Sequence, residues 1–132
     1  MENKEIVSSF FNSDYYKNNS TFESYVHPEV EINWNSNNGF LQFDYKSFRN
    51  MVQEMGKSFL QMTPEISHCF QNEDQVCIRF SYLVESIESE ESFALADFMC
   101  IWEIKDQLLY RGFIMSQAAD EDSENFSSYI NL

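Results

Sequence analysis

Few residues in this chain have types and positions that could do chemistry, and they are scattered. The two histidines are His27 and His68, each carrying a ring that titrates near neutrality. His68 falls mid-way along an alternating stretch with no acid beside it. It is a weak candidate for a general base, against the plainer reading of a structural, partly exposed histidine. His27 stands before Pro28 and reads as a turn residue. Cys69, Cys77 and Cys100 are odd in number and widely spaced, with no CxxC or Cys/His cluster. Three buried free thiols are therefore expected, and no metal site. The acidic tract Glu85–Glu91 lacks the spaced Asp/Asn and Gly of a calcium loop and reads as a solvated hairpin tip.

Arg111 is the charged residue of most interest. A guanidinium keeps its charge, so inside an apolar pocket it needs a carboxylate or several acceptors. An anchor for an acidic ligand, an internal ion pair and an exposed position in another register all remain open. Tyr15 and Tyr16 either bring a phenol to a pocket mouth or simply pack. Met51, Met55, Met62, Met99 and Met115 serve as soft core filler or adaptable pocket lining.

The elements that must position these residues follow from periodicity. Ile6, Phe10 and then Phe11 or Tyr15 give an apolar stripe that predicts a helix over about Asn3–Lys17. Asn18-Asn19-Ser20 breaks it, and Ser20 or Thr21 caps a short helix through Tyr25 that His27-Pro28 stops. Val30–Asn35 alternates as a strand with Val30, Ile32 and Trp34 on one face. A turn through Gly39 leads to a short strand ending at Phe43. Asp44 then caps a helix over about Tyr45–Met62, with Phe48, Val52, Met55 and Phe59 on its buried side and Thr63-Pro64 as its stop. Glu65–Asn72, Gln75–Ile87, Ser92–Lys105 and Leu108–Ala118 read as an antiparallel meander. Its long middle strands must curl. Helices first and a meander after them make an α+β domain, and helices laid over a strongly curved sheet leave a cone suited to a small molecule.

Composition narrows the class. The 132 residues are 43% hydrophobic and 17% aromatic, enough for one packed domain, expected over 1–119 with an acidic tail over 120–132. Eight Lys+Arg against 22 Asp+Glu give a net charge of −14. That charge disfavours nucleic acid and anionic membranes as partners. No apolar run is long enough to span a bilayer, and the N-terminal residues lack the basic start and apolar stretch of a signal peptide, so a cytoplasmic protein is expected. No residue pattern calls for a cofactor.

The element order, with Tyr25-Val26-His27-Pro28-Glu29-Val30-Glu31 leading into Ile32-Asn33-Trp34, resembles the nuclear-transport-factor-2-like superfamily and its SnoaL-like branch. Gly39–Met62 resembles that family's hairpin and following helix, and Phe93–Glu103 with Leu108–Gln117 its last strand pair. The resemblance implies a cone-shaped, mainly antiparallel sheet with three N-terminal helices over its concave face. An isomerase of this superfamily needs a carboxylate base, a tyrosine and a protonated acid. The carry-over puts Trp34, Phe10 and Cys100 at those places, so it brings the cavity without the catalytic set. It also turns Ala96, Phe98, Cys100 and Trp102 into the cone, together with Arg111, Phe113, Met115 and Gln117.

The ligand-lining set expected from both lines of reasoning is Phe10, Trp34, Met55, Phe59, Phe98, Cys100, Trp102, Arg111, Phe113 and Met115. The opposite parity leaves Asp97, Met99, Ile101, Glu103, Tyr110 and Ile114 on the outer sheet face, whose apolar members call for a cover. The resemblance supplies a second copy for that role. Three functions remain: a binder of a small apolar or weakly acidic molecule, a lyase, cyclase or isomerase using His68 or an unmatched acid, and a homodimeric interaction module with a filled cone.

Overall fold

The computed structural model describes residues 1–89, 91–119 and 127–130. Helices α1 (Asn3–Asn12) and α2 (Asn19–Tyr25) precede strands β1 (Val26–Ser36) and β2 (Gly39–Phe43). Helix α3 (Tyr45–Ser58) then leads into β3 (Phe59–Asn72), β4 (Gln75–Ser86), β5 (Ser92–Lys105) and β6 (Leu108–Ala118), and a last short helix, α4, covers Ser127–Ile130. The six strands form one open sheet in the order β2-β1-β6-β5-β4-β3. Every neighbouring pair is antiparallel except β1 and β6, which run parallel. This is the expected α+β cone, with α1, α2 and α3 on the concave side of a mixed sheet.

The core fills the space between helices and sheet. Val7 and Phe10 of α1, Val52 of α3, Ile78 and Phe80 of β4 and Trp102 of β5 are all at or below 1% exposure. Each such side chain contributes roughly 1.5–3 kcal/mol through burial. Asp44 caps α3 with a full capping box: its carboxylate accepts from the Ser47 N–H at 2.9 Å while the Ser47 hydroxyl meets the Asp44 N–H at 2.9 Å. The Ser47 N–H, and the Ser47 hydroxyl that also lies 2.8 Å from Asp44 Oδ1, hold the Asp44 carboxyl below its ordinary value.

Several boundaries differ from expectation, each for a local reason. The first helix ends at Asn12, not Lys17. The Ser13 N–H and its hydroxyl both close onto the Phe10 carbonyl, at 3.1 and 2.6 Å, and Asp14–Lys17 makes a turn of its own. Tyr15 and Tyr16 are buried nonetheless, reaching the core from that turn. Helix α3 stops at Ser58, and Phe59 already pairs with Ser86. Pro64 then lies within β3, opposite Tyr82, on an edge strand where proline is tolerated. His27 belongs to β1 and is not a turn residue. It is buried, its Nδ1 accepts from the Glu29 N–H at 3.0 Å, and its Nε2 lies 3.4 Å from Asp106 Oδ2.

The largest correction concerns β6. Asp106 and Gln107 both have positive φ, 55° and 62°, and join β5 to β6 in a tight hairpin turn. Ile104 then faces Leu109, but Glu103 faces Arg111, so Tyr110 is an extra, bulged residue. Leu109 points inward before the bulge, and Gly112 and Ile114 do so after it. Strict alternation from Leu109 would have put Arg111, Phe113, Met115 and Gln117 in the cone. The one-residue bulge turns all four to the outer face and brings Ile114 inside.

Helix α4 docks on the outer side of the sheet. Tyr129 is buried with the Arg79 guanidinium 4.1 Å from its ring centroid, and Arg79 Nη2 donates to Ser128 Oγ at 2.8 Å. The acidic run 120–126, with Phe126, lies outside the described residues.

Candidate ligand cavity

Between helices and sheet lies a cavity of about 170 Å³. Its floor comes from β5, where alternation aims Ala96, Phe98, Cys100 and Trp102 inward as expected. Ile114 and Ser116 of β6 and Trp34 of β1 flank that row. The roof is Phe10 of α1, Tyr15 of the turn after it, and Met51, Val52 and Met55 of α3. Aromatic contacts fix the walls: Phe10 stacks on Tyr15 with centroids 4.1 Å apart, Phe80 on Phe98 at 5.0 Å, and Trp34 meets Phe98 at 5.9 Å.

Of the expected lining residues, Phe10, Trp34, Met55, Phe98, Cys100 and Trp102 meet in this cavity. Phe59 does not: it is half-buried at the start of β3, edge-on to Phe93 with centroids 6.4 Å apart. Phe113 and Met115 are 42% and 67% exposed on the outer face. Arg111 also stands outside, with Glu31 Oε2 3.7 Å from its Nε and its guanidinium 5.4 Å from the Tyr110 ring. His68 is exposed on β3, its Nδ1 2.9 Å from Ser67 Oγ, and is no part of the cavity. Tyr82, Leu95, Ile114 and Ser116 also line the cavity and had no place in the expected set. The alternating run Ile78-Phe80-Tyr82-Val84 is a usable signal for Tyr82, whereas the bulge in β6 hides Ile114 and Ser116.

The polar groups of the cavity are few and mostly committed. Tyr82 donates to the Phe11 carbonyl at 3.1 Å, so at the 2.8 Å contact between the two phenols it is Tyr15 that donates. The Trp34 indole donates to Ser116 Oγ at 2.7 Å. Among the described residues the buried Trp102 indole N–H meets no oxygen or nitrogen acceptor, and its interaction with the Cys100 sulfur opposes the rise that burial imposes on that thiol. Burial pushes the phenols of Tyr15 and Tyr82 and the thiol of Cys100 well above their ordinary values, so all three stay neutral at neutral pH. No Asp, Glu, His, Lys or Arg among the described residues lines the cavity. Among the described residues, no group of three or more His, Cys, Asp and Glu is placed to hold a metal ion, and no helix is long and apolar enough to cross a membrane.

This architecture is the cone fold seen in solved nuclear-transport-factor-2-like and SnoaL-like proteins. IdmH of Streptomyces antibioticus, a candidate polyketide cyclase, is similar over the whole of both chains with a TM-score of 0.71 and 14% identity. A candidate SnoaL-like polyketide cyclase of Jannaschia sp. CCS1 superposes with a TM-score of 0.66 at 8% identity, covering 98% of this chain and 92% of its own. A protein of Catenulispora acidiphila with a ketosteroid isomerase-like fold, solved with trimethylamine, gives 0.62 at 10% identity and 83% coverage of each chain. No protein-family model and no curated protein sequence matches the chain.

Proposed function

We propose that this protein binds a small, neutral, largely apolar molecule in the cone. The observation that supports this reading is the composition of the cavity wall: aromatic, aliphatic and thioether side chains, with no group ionised at neutral pH among the described residues. An anion would lose its hydration there and gain no counter-charge. The placement of Arg111 outside removes the reason to expect an acidic ligand. An apolar void of about 150 Å³ is already sufficient to take up benzene, so a void of about 170 Å³ suits a ligand of one or two rings. The void also weighs against an interaction module whose cone is filled by its own side chains.

The polyketide cyclases among the structural neighbours suggest a ring-forming carbon skeleton as the natural ligand class. Cyclase or isomerase chemistry would require a base, and the lining offers only neutral phenols and a neutral thiol. The function is therefore binding, in a protomer that pairs with a second copy through its outer sheet face. Titration calorimetry with ethylbenzene and benzoate tests it. Ethylbenzene should bind saturably with a dissociation constant below about 1 mM, and benzoate should not bind. Absence of ethylbenzene binding, or preference for benzoate, overturns the reading.

A further inference from the structure

We propose that the cavity opens at the end where the Trp34 indole clasps Ser116, and that it selects an amphiphile, with an apolar body at the blind end and a polar substituent left at this mouth. This rests on the cavity being the ligand site and adds the direction in which a ligand lies there.

The cavity is not sealed from solvent, and the burial of its lining marks the open end. Along β5, Trp102 and Cys100 are 0% and 1% exposed, whereas Phe98, Ala96 and Leu95 are half-buried. Strand β6 repeats the gradient, with Ile114 buried and Ser116 half-buried. The register aligns the two strands, because Cys100 faces Ile114 and Phe98 faces Ser116. On the other side of β6, Trp34 pairs with Ile114, is half-buried, and donates its indole N–H to Ser116 Oγ at 2.7 Å. The roof divides in the same way: Phe10 and Tyr15 are buried, while Met51 and Met55 of α3 are half-buried.

This gradient orients a ligand. At the blind end an ion would lose its hydration where no described residue supplies a counter-charge, and at the wetted rim it keeps that hydration. An apolar body gains most where burial is complete. A purely apolar ligand that filled the cavity would leave its outer end against solvent. An apolar body inward with a polar substituent outward satisfies both ends.

Two matched pairs of probes test this in the wild-type protein: butylbenzene with 4-phenylbutylamine, and toluene with benzylamine, both amines being ammonium ions at neutral pH. The longer chain lets the charge reach the mouth while the ring stays inside, and the shorter one does not. By calorimetry, 4-phenylbutylamine should bind within about threefold of butylbenzene, and benzylamine about thirtyfold or more weaker than toluene. Intermolecular nuclear Overhauser effects should connect the ring of bound 4-phenylbutylamine to Phe10 and Trp102, and the methylene beside its nitrogen to Trp34. Equal charge penalties in the two pairs, or the ring at Trp34 with the amine end at Trp102, overturn the inference and leave the cavity reading standing. No binding of butylbenzene or toluene overturns both.

Discussion

At Arg111 a charge that could have defined an acidic-ligand site ends in water, beside Glu31. Its side chain is 44% exposed and that of Glu31 67%, so the pair is a surface ion pair of small value. Arg111→Met should change the free energy of unfolding by no more than about 1 kcal/mol. Chemical denaturation measures this, and a loss of several kcal/mol would show that the arginine meets a buried carboxylate after all. The neutral groups of the cavity make a different prediction. Tyr15, Tyr82 and Cys100 hold their protons far more tightly when folded than when unfolded. Below about pH 8.5 both states are protonated and stability is unaffected. Above that the unfolded chain releases the Cys100 proton, and near pH 10 the phenol protons, while the folded chain keeps them. Stability should then fall as pH rises, each group adding about 1.4 kcal/mol per pH unit beyond its unfolded value. Urea titrations from pH 7 to 10.5 should show wild type losing more than Cys100→Ala above pH 9. Parallel profiles for the two would contradict the assignment.

At the scale of elements, the bulge at Tyr110 decides which half of β6 faces the ligand. Gly112 lies just after it, under Trp102. Gly112→Ala should overpack this contact, costing about 1–3 kcal/mol and changing the near-ultraviolet circular dichroism of the indoles. An unchanged spectrum and stability would mean that the indole does not rest there. Much of this level was legible in the sequence. The helix and strand order, the bounds of β5 and β6 and the Asp44 cap follow from periodicity and capping chemistry, and the family resemblance implies the inward parity of Ala96, Phe98, Cys100 and Trp102. What was not legible depends on pairing. A bulge leaves no mark in residue type at Tyr110, and one slip exchanges Arg111, Phe113 and Met115 for Gly112, Ile114 and Ser116. Likewise the apolar stripe of α1 runs on to Tyr15 although Ser13 ends the helix. Phe59 fits a helix face by spacing but is claimed by Ser86 across the sheet.

At the scale of the whole molecule, the bulge has a second effect. Phe113 and Met115 join Met99 and Ile101 on the outer face, all between 42% and 67% exposed, next to the docked α4. We expect this face to pair two copies, so sedimentation at micromolar concentration should give a dimer. Ile101→Glu should weaken it at least about a hundredfold by opposing like charges across the axis, and a monomeric wild type would contradict the pairing. Ligand binding in the cone is read out by a crystal structure of protein equilibrated with ethylbenzene vapour. Ring-shaped density should appear inside the cavity, among Phe10, Trp34, Phe98 and Trp102, with the Tyr15–Tyr82 hydrogen bond intact. A cavity without ligand density, or density only in the outer groove beside Met99 and Phe113, would contradict it.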